Sequence, residues 1–155
     1  MPDLAGRAAR ALRWGRRLSL RLMTLARDIK HIHWQLKAGE TLPASGAIVT
    51  GYADIDQEIR TIILTPIGSV PTNPLKGCDL LPYIDRPPEI AIPRLCHAVW
   101  DAVTTWVTRV EALTVTAHAI SPSHFIISVP WRVKGDVAAE IRSTEVAITG
   151  AGGIA

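Results

Sequence analysis

The sequence lacks the features that define several common classes of protein. It has two cysteines in 155 residues, Cys78 and Cys96, which is too few for a disulfide framework, so we expect a reduced, disulfide-free fold. No apolar run approaches the roughly 18 residues that span a bilayer. The N-terminal arginines are spread among apolar positions and do not precede one uninterrupted apolar stretch, as a secretory signal would require. We therefore expect no membrane partner and no signal peptide.

Negative charge is scarce at the N-terminus. Residues 1–27 contain seven arginines and one acid, a net charge of +6, whereas residues 28–155 carry −3. Apolar residues recur there at steps of three, four or seven, which predicts an amphipathic helical arm with the arginines opposite the apolar stripe. We expect this arm to dock on a neighbouring protein through Arg10, Arg13, Trp14, Arg17 and Arg21. Contact of the arm with nucleic acid or with a membrane surface is a less favoured alternative, and a transit peptide is a minor one.

The rest of the chain alternates between helical and irregular patterns before it becomes strand-like. Asp54 is a plausible N-cap, with Gln57 completing a capping box, for a helix that ends at Pro66. The proline-rich residues 66–93 predict an ordered loop with one short helix near 79–84. The clearest helical periodicity runs from about 91 to 109.

The C-terminal part has a period of two. Alternation over 113–119 and 125–133, around a Ser-Pro-Ser turn, predicts a β-hairpin with one apolar face, and residues 139–148 predict a weaker third strand. Pro130 places its strand at an edge or at a bulge. The fold class is therefore α+β, with an arm at 1–27, a domain at 28–148 and a flexible tail at 149–155. So few strands leave exposed edges, which either a helix or a partner strand must cover.

The sequence offers little chemistry. Glycoside hydrolysis needs two carboxylates across a cleft, and the candidates, which we expect to be solvated, are Glu58, Glu89, Asp101 and Glu111. Asp54 lies one turn before Glu58, and we expect both on a solvent face of their helix. His31 with His33, and His97 with Asp101, lack the further ligands that zinc requires. We therefore predict no catalytic residue, no cofactor and no metal site.

Several segments resemble one family in the right order. These are Asp54–Ser69, Pro74–Leu80, Tyr83–Pro87 and Trp106–Val110, with His33-Trp34 and Val49–Gly51 upstream. They are similar to the baseplate wedge, or sheath initiator, family of contractile phage tails, which was long labelled tail lysozyme. Relatives occur in Mu-like and P2-like phages and in type VI secretion baseplates. The chain departs from the family where Lys76 replaces Phe and where Val107-Thr108 replaces Glu-Pro before Arg109.

The resemblance implies a structural role in which the subunit seeds the sheath by sharing β-strands. The implied partners are the sheath protein, wedge proteins and the central hub, spike or tube, in a sixfold baseplate ring assembled in the host cytoplasm. We expect Arg109 and Trp106 to dock on the baseplate. The sheath interface is expected on the hairpin at Val115, Ala117, Phe125, Ile127, Val129 and Trp131. A peptidoglycan-degrading tail lysozyme is the alternative.

Overall fold

The chain divides into a first unit of residues 1–34 and a second unit of residues 35–155. The computed structural model describes residues 33–38, 47–135 and 140–150, nearly all of which belong to the second unit. The predicted arm at 1–27, with its five contact residues, lies outside the described residues. So do residues 151–155 of the predicted tail.

Three helices form one side of the second unit: α1 (Tyr52–Leu64), α2 (Leu81–Ile84) and α3 (Pro88–Trp106). α1 follows Gly51, which has a φ of 64°. Residues other than glycine rarely adopt this backbone angle. The predicted N-cap at Asp54 is therefore wrong, since Asp54 is the third residue of the helix. α3 starts with Pro88 at its first position. A backbone N–H at that position would have no acceptor within the helix, so proline breaks no hydrogen bond there.

An antiparallel sheet forms the other side. Its strands are β3 (Val110–Ala112), β4 (Thr116–Ser121), β5 (His124–Val133) and β6 (Arg142–Thr149). β5 is central: it pairs with β6 on one side and with β3 and β4 in succession on the other. The predicted α+β class, hairpin and third strand are confirmed.

Pro130 is not on an edge strand, so that part of the prediction is wrong. It lies in β5, opposite the interruption between β3 and β4, and its carbonyl accepts a hydrogen bond from the Leu113 N–H at 2.9 Å. Ala112 pairs with Trp131 and Thr116 with Ser128, so the β3–β4 side contains one extra residue and bulges there. The predicted bulge therefore lies in the neighbouring edge strands and not in β5 itself. At this bulge, no interstrand hydrogen bond requires a backbone N–H from Pro130.

A second, two-stranded sheet consists of β1 (Trp34–Leu36) and β2 (Ile48–Thr50). The side chain of Gln57 on α1 holds this sheet. Its Oε1 accepts from the Ala38 N–H at 3.0 Å, and its Nε2 donates to the Leu36 carbonyl at 2.7 Å. Gln57 therefore binds β1, and its predicted part in a capping box is wrong.

The core lies between the helices and one face of the sheet. α1 contributes four isoleucines at helical spacing, α3 contributes one apolar stripe, and β5 contributes every second residue. Burial of each such side chain stabilises the fold by about 1.5–3 kcal/mol. The principal members are Ile55, Ile59, Ile62, Ile63, Leu95, Val99, Val103, Phe125, Ile127, Val129 and Trp131.

Candidate functional site

The most deeply buried charge in the described residues is the carboxylate of Asp54, which is 1% exposed. The Arg109 guanidinium binds it: Nη1 donates to Asp54 Oδ2 at 2.7 Å, and Nη2 donates to Glu58 Oε2. Asp54 and Glu58 lie one turn apart on α1 and so face the same way. The cluster locks α1 to the segment between α3 and β3.

Two opposing effects act on Arg109. Burial lowers the pKa of its guanidinium, but the hydrogen bonds and charges of Glu58 and Asp54 outweigh burial and raise that pKa above its ordinary value. The second oxygen of Asp54, Oδ1, has no hydrogen-bond partner in the part of the chain that the structure describes. Asp54 therefore depends on Arg109 as its counter-charge.

This ion-pair cluster bears on two predictions, the solvent exposure of Asp54 and Glu58 and the docking role of Arg109. The prediction of a solvent face is wrong for Asp54, which is buried, and for Glu58, which is part-buried and ion-paired. Arg109, which follows Val107 and Thr108 and so has no acid in the two positions before it, is paired instead with these two carboxylates from α1. Because Arg109 is engaged within the chain, docking through it stays a prediction.

Trp106, the second predicted docking residue, is the last residue of α3 and is half-buried against the core. It lines an open groove of about 680 Å³ together with Leu75, His97 and Asp101. Its docking role also stays a prediction.

The six residues predicted as a sheath interface all face the chain's own core. Their side chains are between 0 and 8% exposed, and four of them belong to the central strand β5, both sides of which are already paired. In the folded chain these six side chains are therefore covered by the chain's own core, and a sheath interface at these positions stays a prediction. The six are Val115, Ala117, Phe125, Ile127, Val129 and Trp131.

β6 has an open edge. In an antiparallel pair, alternate residues point both backbone polar groups at the partner and the residues between them point both groups away. The bond from the Gly150 N–H to the Ser123 carbonyl, at 2.8 Å, fixes the phase of this alternation. The outward residues are Ser143, Glu145, Ala147 and Thr149. Within residues 33–38, 47–135 and 140–150, their backbone groups have no hydrogen-bond partner.

The opposite edge of the sheet, formed by β4, is partly closed. The same alternation points the backbone groups of Ala117 and Ala119 outward. The Ala117 N–H lies beside the thiol of Cys96 on α3; burial raises the pKa of that thiol, and this backbone hydrogen bond partly offsets the rise. α3 therefore reaches one outward backbone donor of β4, and a helix near a sheet edge is one way in which proteins protect it.

An apolar groove of about 160 Å³ lies next to the C-terminal half of β6. α1 and α2 form its far wall, where Leu64 and Leu81 are 38% and 65% exposed. The lining residues are Ile63, Leu64, Pro66, Cys78, Leu80, Leu81, Ile84, Ala147, Ile148 and Thr149. The open edge and this groove are continuous.

A buried polar relay fixes the position of β6. The Thr144 hydroxyl, which is fully buried, donates to Asp56 Oδ1 at 2.6 Å and accepts from the Trp131 indole N–H at 2.8 Å. A slip of β6 by one residue would bury a different side chain and break both bonds. The relay therefore specifies which residues of β6 point outward.

Comparison with solved structures identifies proteins that have the same fold as this chain. No protein-family model and no curated protein sequence matches the chain. A protein from Geobacter sulfurreducens that carries the provisional name tail lysozyme matches with a TM-score of 0.52 and 21% identity, over 72% of this chain and 96% of that one. A chain of the baseplate complex from the type VI secretion system matches with a TM-score of 0.51 and 13% identity, over 63% of this chain and 93% of that one. The chain shares the fold of these two proteins.

The candidate carboxylates for hydrolysis are dispersed over the fold. Three of them bind a basic side chain: Glu58 binds Arg109, Glu111 binds Arg132 at 2.8 Å, and Asp101 binds His97 at 3.0 Å. In the described residues, no group of three or more His, Cys, Asp or Glu side chains could hold a metal ion. None of the helices there is long and apolar enough to cross a membrane.

Two features of the structure could not be read from the sequence. The first is the burial of Asp54: at about 100° per residue it falls outside the arc of the four isoleucines of α1, so the helical pattern did not mark it as buried. Its partner Arg109 lies far along the chain and was not identified as such. The second is Thr144, which gave no signal because threonine is common in strands.

Proposed function

We propose that the protein is a structural baseplate subunit of a contractile tail, which joins the wedge and hub to the first sheath ring and starts sheath assembly by β-strand augmentation. The observation that carries the proposal is the outward edge of β6, whose backbone groups have no partner among the residues that the structure describes. The two structural neighbours, a tail protein and a type VI baseplate chain, support this setting.

The mechanism follows from the unpaired backbone groups. A strand from a sheath subunit would exchange hydrogen bonds with the outward residues of β6, which span about 20 Å at 3.3 Å per residue. Each bond contributes only about 1 kcal/mol net, because water is displaced from both partners. Stable seeding therefore requires several copies arranged in a ring, for which a sixfold baseplate is our expectation.

The partners and location follow from this role. The sheath protein completes the sheet, whereas wedge and hub or tube proteins hold the subunit in the baseplate. Assembly would take place in the host cytoplasm, and the mature subunit would reside in the tail baseplate.

The role can be tested by seeding. Purified sheath protein of the same contractile tail is mixed with the full chain, and polymerisation is followed by light scattering and electron microscopy. We expect the chain to shorten the lag before sheath tubes form and to label one end of each tube. An unchanged lag, together with no co-sedimentation of the chain with sheath, would contradict the proposal.

A hydrolase is the second candidate because one structural neighbour carries the name tail lysozyme. The engagement of Glu58, Asp101 and Glu111 with basic side chains does not favour it, since a general acid must be free to give up its proton. Sustained clearing of a suspension of purified peptidoglycan by the full chain would favour the hydrolase over the structural role.

A further inference from the structure

We propose that the added strand pairs with β6, along Ser143–Thr149, and that its side chains alternate between apolar residues facing the helices and polar residues facing outward. This inference rests on the proposed function and specifies its acceptor edge. It differs from the sequence-based expectation, which placed the interface on the hairpin at 112–133.

The two edges of the sheet are not equivalent. β4 has six residues, its register with β5 shifts between Ala119 and Ser121, and α3 approaches its outward Ala117 N–H through Cys96. Short and irregular edges with a helix nearby resist strand addition. β4 is therefore the less favourable edge.

β6 has none of these protections among the residues that the structure describes. All eight of its residues pair with β5 without a register shift. Its outward backbone groups form a regular row of four donors and four acceptors, at every second residue. A row of this kind is satisfied by another extended chain and by few other ligands. The occupant is therefore an extended segment of about seven residues.

The surroundings of β6 define the composition of that segment. On the inner side, the groove past Ile148 is apolar and is bordered by the exposed side chains of Leu64 and Leu81. Apolar residues at alternate positions of the added strand would fill it and cover both leucines. On the outer side, Glu145 is exposed and its carboxylate has no partner in the described residues. A Lys or Arg in the added strand, opposite Glu145, would complement this charge.

Paired proline variants separate the two edges. Ala147→Pro removes one outward N–H of β6 and leaves the residues of β6 that bond to β5 unchanged. Ala119→Pro removes one outward N–H of β4 and likewise leaves the residues of β4 that bond to β5 unchanged. We expect Ala147→Pro to weaken binding of the full chain to sheath protein by about tenfold or more, because a proline at that site lacks the donor and crowds the incoming strand. Ala119→Pro should bind within about twofold of the unsubstituted chain. Circular dichroism and thermal unfolding verify that both variants fold.

Hydrogen exchange on the unsubstituted chain gives a measurement that does not depend on any variant's folding. We expect the amides of Ser143, Glu145, Ala147 and Thr149 to exchange at least tenfold more slowly when sheath protein is bound. If sheath binds but protects the β4 amides instead, or if Ala119→Pro is the variant that loses binding, the β6 assignment is overturned and the seeding role stands. If the unsubstituted chain does not bind sheath, the proposed function itself fails.

Discussion

Replacing Arg109 by methionine tests whether the buried cluster stabilises the fold. Methionine keeps most of the apolar stem and removes the cation, which leaves Asp54 buried at 1% exposure without its counter-charge. Removal of one partner from a buried ion pair costs about 3–5 kcal/mol. Because Arg109 is 25% exposed, we expect the lower end, about 3 kcal/mol of the free energy of unfolding. That is a large part of the 5–15 kcal/mol typical of a domain.

Arg132→Met provides the matched control in the same chain. Arg132 also binds a carboxylate, that of Glu111, but the two side chains are 43% and 50% exposed. An exposed pair of this kind contributes about 0–1 kcal/mol. Urea unfolding at pH 7, followed by circular dichroism and tryptophan fluorescence, measures both variants. The reasoning fails if Arg109→Met costs no more than Arg132→Met.

A double variant identifies the cause of the loss. Asp54→Asn combined with Arg109→Met removes both charges, so it should be more stable than the sum of the single effects predicts, by about 1–3 kcal/mol. Simple additivity of the two substitutions would show that Arg109 acts through packing and not through Asp54.

Three further predictions concern the scaffold. Gly77→Ala should cost about 2–4 kcal/mol, because its Cβ would lie 2.3 Å from a backbone carbonyl oxygen at φ 133°, whereas Gly68→Ala, with open space, should cost about 1 kcal/mol in the same urea titration. Thr144→Val should cost about 1–3 kcal/mol, because the buried indole N–H of Trp131 and the part-buried carboxylate of Asp56 lose their hydrogen bonds, and Thr144→Ser should restore most of that stability. Burial raises the pKa of Cys78 from 9.0 to about 12. Between pH 9 and 12 the folded state therefore retains a thiol proton that the unfolded state loses. The contribution of Cys78 to the free energy of unfolding is complete below pH 9 and falls above it, by up to about 1.4 kcal/mol per pH unit. Cys78→Ala should abolish this part of the pH dependence in a series of unfolding curves.

Local periodicity was sufficient to predict much of the fold. The isoleucines of α1, the apolar stripe of α3 and the alternation in β5 each repeat within a few residues, so the side that must be buried can be identified without knowing its partner. The third strand was also identifiable, to within three residues at its start.

The candidate site could not be predicted in the same way. The sequence indicated an unfinished sheet but located its open edge on the hairpin, because the order of strands in space is not encoded in any one strand. β6 comes last in the chain yet pairs with β5 along its whole length, and this pairing makes the hairpin's second strand central. The apolar residues predicted to meet a partner became core.

The sequence by itself determined which segments are helical or extended and which side of each is apolar, since those properties depend on neighbours one turn or two residues away. Only the tertiary structure decided that Arg109 neutralises an acid 55 positions earlier, that α3 reaches the Ala117 N–H of β4, and that the outward edge of β6 has no partner among the described residues. Such pairings depend on how whole elements pack, and the energy of packing is shared among residues far apart in the chain.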